Sequence, residues 1–462
     1  MIDNPERRRE ALAALGRALA AGPIDRAAVD AAAPWIGSSG PEDLVVAVDT
    51  LVAEGIPFER LKPAVSRLIN LLSKPLSRRD FAPKDPFFRS LLLENAAILA
   101  TLGALKGPIA RLAAARSPGA ASAETAAAET AAAETDAIAA RAAALGAIEI
   151  HYRKKENILF PHIEARYPRY RCLSLMWALH DDVREGIREV QALAREVGAL
   201  ARETAALSGA VAASSGGAPS DRHGQGFAAG GQGGLERLNA RLGRLFFDIG
   251  AVAFREEKVL FPVVAPLLDP EELGGLFRES REYGFCLLDR GRIEELEEEA
   301  RLLGAAGASR GAAAAVAVSA PRDADRTAAP AVALDAGRLT PELIDLVLKS
   351  LPLDLTFVDA QDRVRYFSNG EERVFPRSPS ILGREVRNCH PAGSVERVMR
   401  IVDSFKSGER DSEEFWLQTR GRFVLIEYRA LRAAGGEYLG TLEISQDLTK
   451  ARALRGERRL AD

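Results

Sequence analysis

"HYRKKENILFPHIEARYP" (151–168) decides the fold of this chain. It gathers two of the chain's five histidines, a glutamate and a Leu-Phe-Pro run into one short stretch. Part of it returns later: "KKENILFP" (154–161) is matched by "REEKVLFP" (255–262) in charge, apolar run and Phe-Pro ending. Two helices that repeat a surface in this way present it to one core, as facing helices of a bundle do. Such a repeat serves a two-metal site, in which facing helices project matched ligands inward, and serves plain packing equally well. The Phe-Pro pair reads as the end of each helical run.

Outward from the repeat, helical spacing of apolar residues continues on both sides. "FRSLLLENAAILATLGAL" precedes it, and "DPEELGGLFRESREYGFCLL" and "IEELEEEARLLG" follow it. Residues 85–300 are therefore expected to form a four-helix bundle. Two biased segments interrupt it. In 111–136, "AETAAAETAAAETD" repeats every five residues; alanine and glutamate favour helix, but this period makes no consistent apolar face. The glycine-rich segment 208–234 reads as a flexible loop, and its His223 as incidental. Residues 1–80 read as a separate domain of small helices, and "SKPLSRRDFAPKDPF" (73–87) as a Pro- and charge-rich linker. The Ala/Pro/Gly tract 301–337 is expected to be a disordered linker.

Composition bounds the function classes. A formal net charge of −3 offers nothing to nucleic acid or an anionic membrane. Cys172, Cys286 and Cys389 are far apart and form no framework, which fits a reducing, cytoplasmic setting. No apolar run long enough to span a membrane is evident.

The repeated run resembles the hemerythrin-like (HHE cation-binding) four-helix bundle. In that family such a helix supplies a His and, four residues on, a Glu, which share one helix face. The resemblance implies non-haem iron, mononuclear or dinuclear, held by imidazole and carboxylate. Carried onto this chain, His151 stands at the histidine position of the first repeat, while Lys155 stands at the glutamate position with Glu156 beside it. In the second repeat Glu256 stands at the glutamate position and Val252 at the histidine position. Asn95 falls where the family has a His after Glu94, and His180 in "MWALHDDVRE" matches a third-helix pattern. The metal-ligand set implied is His151, His180 and Glu256, with Glu94, Glu156 and Glu257 as stand-ins. Lys155 fits such a site only if it points outward. His162 shares a face with His151 only if the helix runs through Pro161.

Residues 338–455 change texture. "DLTFVDAQDRVRYFS" reads as a hairpin, "SVERVMRIVDSFKSG" as a helix, and "EEFWLQT", "RFVLIEYRALR" and "YLGTLEISQDL" as strands. This order resembles a PAS domain, a five-stranded antiparallel sheet with helices on one face and a cavity between. "RNCHP" makes Cys389 and His390 the ligand candidates there, as haem ligands or as a helix cap and turn. The succession of motifs along the chain is similar to the composite family named domain of unknown function 438. The fold class expected is thus multidomain: an all-α N-terminal domain, a hemerythrin-like bundle and an α+β PAS domain.

No phosphate loop, dinucleotide fingerprint, nucleophile elbow or HExxH occurs, so no complete catalytic constellation is found. The expected function is a cytoplasmic sensor that handles iron, O2 or NO at the bundle. Its PAS domain passes the signal to a protein partner, without nucleic acid or membrane, and a homodimer is compatible with it. The alternatives are a metal-free interaction scaffold and a di-iron protein that handles NO or O2.

Overall fold

The structure, a computed structural model, describes residues 4–23, 26–78, 80–114, 121–167, 170–214, 232–314, 331–370, 373–375, 377–390, 392–419 and 421–457. The chain divides into two compact units, Met1–Gly307 and Ala308–Asp462. His223 lies outside the described residues.

The first unit is helical. Asn4 caps α1 (Pro5–Ala21) by accepting from the amides of Glu6 and Arg7, one of the standard ways to satisfy a helix start. It packs with α2 (Arg26–Ile36), α3 (Pro41–Ala53) and α4 (Phe58–Leu71). Their apolar cluster is closed by Cys172, Leu175, Val259 and Val263 of the bundle. Polar contacts cross the same seam: Lys62 Nζ pairs with Asp182 at 2.7 Å, and Asp49 Oδ1 accepts from the Arg171 amide at 2.6 Å. The small helices thus complete their core on the bundle. The 73–87 stretch holds a short helix, Ser73–Ser77, and its Phe81 stacks edge-on against Phe88.

The bundle begins at α5 (Pro86–Gly103), where Asp85 accepts from the Phe88 amide at 2.8 Å and Pro86 takes the first helical position. Contrary to the expectation from sequence, the stretch Pro86–Ala114 is long and apolar enough to cross a membrane by length and composition. Here its apolar side lies in the bundle core, and Glu94 and Asn95 are buried with it. Next come α6 (Ala121–Leu145), α7 (Ile148–Lys154), α8 (Phe160–Arg166), α9 (Cys172–Ser214) and α10 (Gln232–Arg255). Then come α11 (Pro270–Tyr283) and α12 (Arg290–Ala314), which runs past Gly307, the last residue of the first unit.

Two expectations change. The alanine-rich repeat does have an inward face: Ala128, Ala131, Ala132 and Thr135 are buried, in line with Ile138 and Ala142. Alanine fills every position between the Glu-Thr pairs, so a helical stripe exists whatever the period of those pairs. Nor does Phe-Pro end its helices. Each is preceded by a π-helical turn, Lys155–Leu159 and Glu256–Leu260, and helix resumes at Phe160 and Phe261. The wide turn bonds the Phe160 amide to the Lys155 carbonyl, and the Phe261 amide to that of Glu256. It thereby absorbs the missing N–H and the ring of the next residue, proline.

The first strands of the second unit, β1 (Val332–Leu334) and β2 (Gly337–Leu339), form a hairpin. The 301–337 tract therefore carries regular structure at both ends, α12 to Ala314 and this hairpin; residues 315–330 lie outside the described residues. Then come α13 (Pro341–Ser350), β3 (Asp354–Asp359), β4 (Val364–Phe367), α14 (Ala392–Lys406), β5 (Ser412–Thr419), β6 (Arg422–Arg432) and β7 (Tyr438–Asp447). The sheet is antiparallel in the order β4-β3-β7-β6-β5. At Gly440, φ is +153°, and a Cβ would lie 2.1 Å from the Val358 carbonyl oxygen. Only glycine lets β7 approach β3 there.

Candidate functional site

The bundle holds a buried polar cluster built from α5, α9, α7 with its π-turn, and the π-turn that follows α10. Glu94, His151, Lys154, Lys155, His180 and Glu256 are each 0% exposed. His151 stands between two carboxylates, with Nδ1 2.8 Å from Glu94 and Nε2 3.1 Å from Glu256. Asn95 donates to Glu256 at 3.1 Å. The two lysines point inward, Lys154 onto Glu94 and Lys155 onto Glu256. The backbone amide of Cys286, in the loop between α11 and α12, also donates to Glu94, at 2.8 Å.

Glu156 is turned to a neighbouring group. It bonds His180 Nδ1 at 2.7 Å and takes both terminal nitrogens of Arg184 at 3.0 and 2.7 Å. Arg184 is anchored from outside by Glu149 and Asp181. Aromatic rings wall the cluster: Tyr152 stacks on His180 at 3.9 Å, and Lys155 Nζ lies 4.5 Å from the Tyr152 centroid. Phe285 gives Lys154 a similar face at 4.7 Å.

Burial by itself raises all three carboxyl groups, yet each is held below its ordinary value. Lys155 and His151 hold Glu256 well below it, Lys154 and His151 lower Glu94, and His180 and Arg184 lower Glu156. Burial draws the Lys155 ammonium down, against the pull of Glu256.

The sequence-derived ligand set is thus brought together except at its edges. His151, His180, Glu94, Glu156 and Glu256 share the cluster. Glu257 is half-buried beside it, its carboxyl raised by burial and by Glu256. His162 is absent: its Nε2 lies 3.5 Å from Glu272 on the bundle's flank. The helix does continue past Pro161, but through the π-turn, which changes the face. Lys154, Arg184 and Tyr152 were missed, although Arg184 sits four residues after His180, a helical neighbour by spacing; Asn95, noted at a family histidine position, joins the cluster as a donor to Glu256.

The donor chemistry does not fit a resident metal. Each oxygen of Glu94 and Glu256 already meets an ammonium, an imidazole or an amide. Among the described residues no group of three or more His, Cys, Asp or Glu is arranged to hold a metal ion. His180 Nε2 is the one buried nitrogen here without a hydrogen bond, 3.6 Å from Glu256 Oε1. A single leftover nitrogen is not a coordination set.

The second unit has a polar interior. Its apolar core falls into two small clusters, one around Val358, Val364, Ile381 and Val386, the other around Phe405, Val424, Ile426 and Tyr428. On the sheet, Thr356 pairs with Glu443, and Glu443 with Tyr428. Arg377 donates to Glu443 at 2.7 Å, and His390 is lowered by burial with both nearby. The hydroxyls of Thr356 and Ser445, residues 2% and 1% exposed, have no hydrogen-bond partner. Tyr428 also lines an open groove of about 920 Å³ along α14 and β5, with Arg397, Ile401, Ser404 and Phe415. Cys389 does not line that groove; its thiol donates to the Glu385 carbonyl at 3.4 Å.

Two family models match the chain: the hemerythrin HHE cation-binding domain over residues 109–214, and a PAS domain over 344–449. Among solved structures, the C-terminal domain of a Streptococcus mutans protein is similar at 32% identity, covering 28% of this chain and 99% of that one, with a TM-score of 0.27. The PAS domain of a Colwellia psychrerythraea protein is 15% identical over 24% of this chain and 97% of that one, with a TM-score of 0.20. A sensory box sensor histidine kinase from Vibrio cholerae is 16% identical over 23% and 90%, with a TM-score of 0.19. No curated protein matches.

Proposed function

We propose that this chain, which joins a hemerythrin HHE cation-binding domain to a PAS domain, is a cytoplasmic sensor-type regulatory protein whose input is a small polar molecule in the PAS interior. The observation that carries this reading is the Arg377–Glu443 pair beside two buried hydroxyls, Thr356 and Ser445, without partners. Unmet buried hydroxyls are costly and uncommon. A ligand with a carboxylate and a donor group would divide the ion pair, take Arg377 and Glu443 separately, and satisfy the hydroxyls. Tyr428 links this interior to the groove, so occupancy would reach α14 and shift its contacts with a protein partner. Three free thiols agree with the cytoplasm.

The test is thermal unfolding of the full chain against a panel of small carboxylic and amino acids, with Arg377→Met beside it. A panel member should raise the PAS transition of the natural chain and leave that of the variant unmoved. A panel without effect on either would leave the PAS domain as an interaction surface only.

A second reading, sensing of O2 or NO by non-haem iron in the bundle, is favoured by the match to a cation-binding family. The inward lysines oppose it. Iron analysis after anaerobic purification separates the two readings, since the PAS reading requires none.

A further inference from the structure

Residues 155 and 256 hold the same place in the two copies of the repeat. Each opens a π-turn, and each turn runs into Phe-Pro. In space these equivalent positions meet, for the Lys155 ammonium sits directly on Glu256. Two carboxylates at these positions would be like charges in a buried core and would need a cation between them. Lysine at one position supplies that cation covalently. Lys154 does the same for Glu94, and Arg184 for Glu156. Three inward carboxylates are thus matched by three cationic side chains.

We propose that Lys155 is a built-in counter-cation, its ammonium standing where a divalent ion would sit among the bundle's carboxylates and imidazoles, so that this bundle folds independently of metal. The surroundings keep the outline of such a place. His151 Nε2 reaches one oxygen of Glu256 at 3.1 Å, and the unpartnered His180 Nε2 lies 3.6 Å from the other. Exchanging the ammonium for a carboxylate would set two imidazoles and two carboxylates around one point, a donor set suited to Mn2+, Fe2+ or Zn2+.

The experiment uses the full chain, stripped with EDTA and titrated with Mn2+ and with Zn2+ by calorimetry, with thermal unfolding alongside. The natural chain should bind neither ion stoichiometrically, and its unfolding temperature should ignore both ions and EDTA. Lys155→Glu should bind about one ion per chain, at least about a hundredfold tighter than the natural chain, and become stabilised by it. Should Lys155→Glu refold only with metal present, that is the same result in a stronger form. Should it fold under neither condition, Lys155→Gln decides, with a gain in Mn2+ affinity of at least about tenfold expected. Two results would overturn the proposal. One is stoichiometric iron or manganese in the natural chain that His151→Ala removes; the other is a folded Lys155→Glu, or Lys155→Gln, with natural-chain affinity.

Discussion

Replacing Glu256 by Gln keeps the side chain's shape and removes its charge. In the structure Glu256 accepts from Lys155 on one oxygen, and meets His151 Nε2 and Asn95 Nδ2 on the other, both at 3.1 Å. A glutamine amide sets its NH2 either against the Lys155 ammonium or against the Asn95 amide, so donors collide in both orientations. The Lys155 charge then stays buried without a counter-charge, at a cost of about 3–5 kcal/mol. One lost charge-assisted bond, about 1.5–3 kcal/mol, plus about 1 kcal/mol for a neutral one gives about 2.5–4 kcal/mol, which overlaps that range. The double variant Lys155→Met/Glu256→Gln removes both charges and should lie within about 2 kcal/mol of the natural chain. The coupling between the two sites is then at least about 1 kcal/mol and favourable. Urea unfolding read by tryptophan fluorescence in a Trp416→Phe background isolates the helical unit, because Trp35 and Trp177 are the remaining tryptophans. A single variant within about 1 kcal/mol of the natural chain, or a double variant no better than the single one, would refute the reasoning.

The helical unit should also depend on acid in a defined sense. Glu94, Glu156 and Glu256 are depressed in the folded state, so at low pH the unfolded chain holds more protons. Their contribution is complete above the unfolded value of about 4.3 and is lost as pH falls below it. The calorimetric transition should be flat from about pH 7 to 5 and drop below about 4.5, and a drop that begins near pH 6 would contradict the carboxylate account. Arg255 should behave oppositely to Glu256. It is 6% exposed, its Nη2 meets only the Ser66 hydroxyl at 2.6 Å, and its Nε has no hydrogen-bond partner. Burial draws its guanidinium down to about 10. Arg255→Met should therefore leave stability unchanged or raise it by up to about 2 kcal/mol; a loss of more than about 1 kcal/mol in urea unfolding would contradict the account.

The bundle and the PAS-like sheet were legible because periodicity and repetition are local signals. "KKENILFP" and "REEKVLFP" predicted facing helices, and the strand spacing after residue 350 predicted the five-stranded sheet. The composition of the cluster was legible too, down to His151, His180 and Glu256. Its meaning was not, since it depends on the direction Lys155 points, and Lys155 meets a glutamate 101 residues away. Lys154 and Cys286 reach Glu94 across 60 and 192 residues, distances that no spacing rule connects. The alanine-rich helix was misjudged for a different reason: alanine satisfies a buried face without marking it. The hairpin Val332–Leu339 was hidden by flanks of the same small residues.

The paired π-turns also limit how this protein can change over time. Each is a helix with one residue more than its pitch can hold, kept in place by the proline just beyond it. Removing one residue from Lys155–Leu159 would restore ordinary pitch and swing the helix before the turn by about 100° relative to the helix after it. His151, Lys154 and Lys155 would leave the core together. Point substitution can explore this segment one side chain at a time, but any change of length moves the whole cluster at once. Among descendants of this chain, its length should outlast most of its letters.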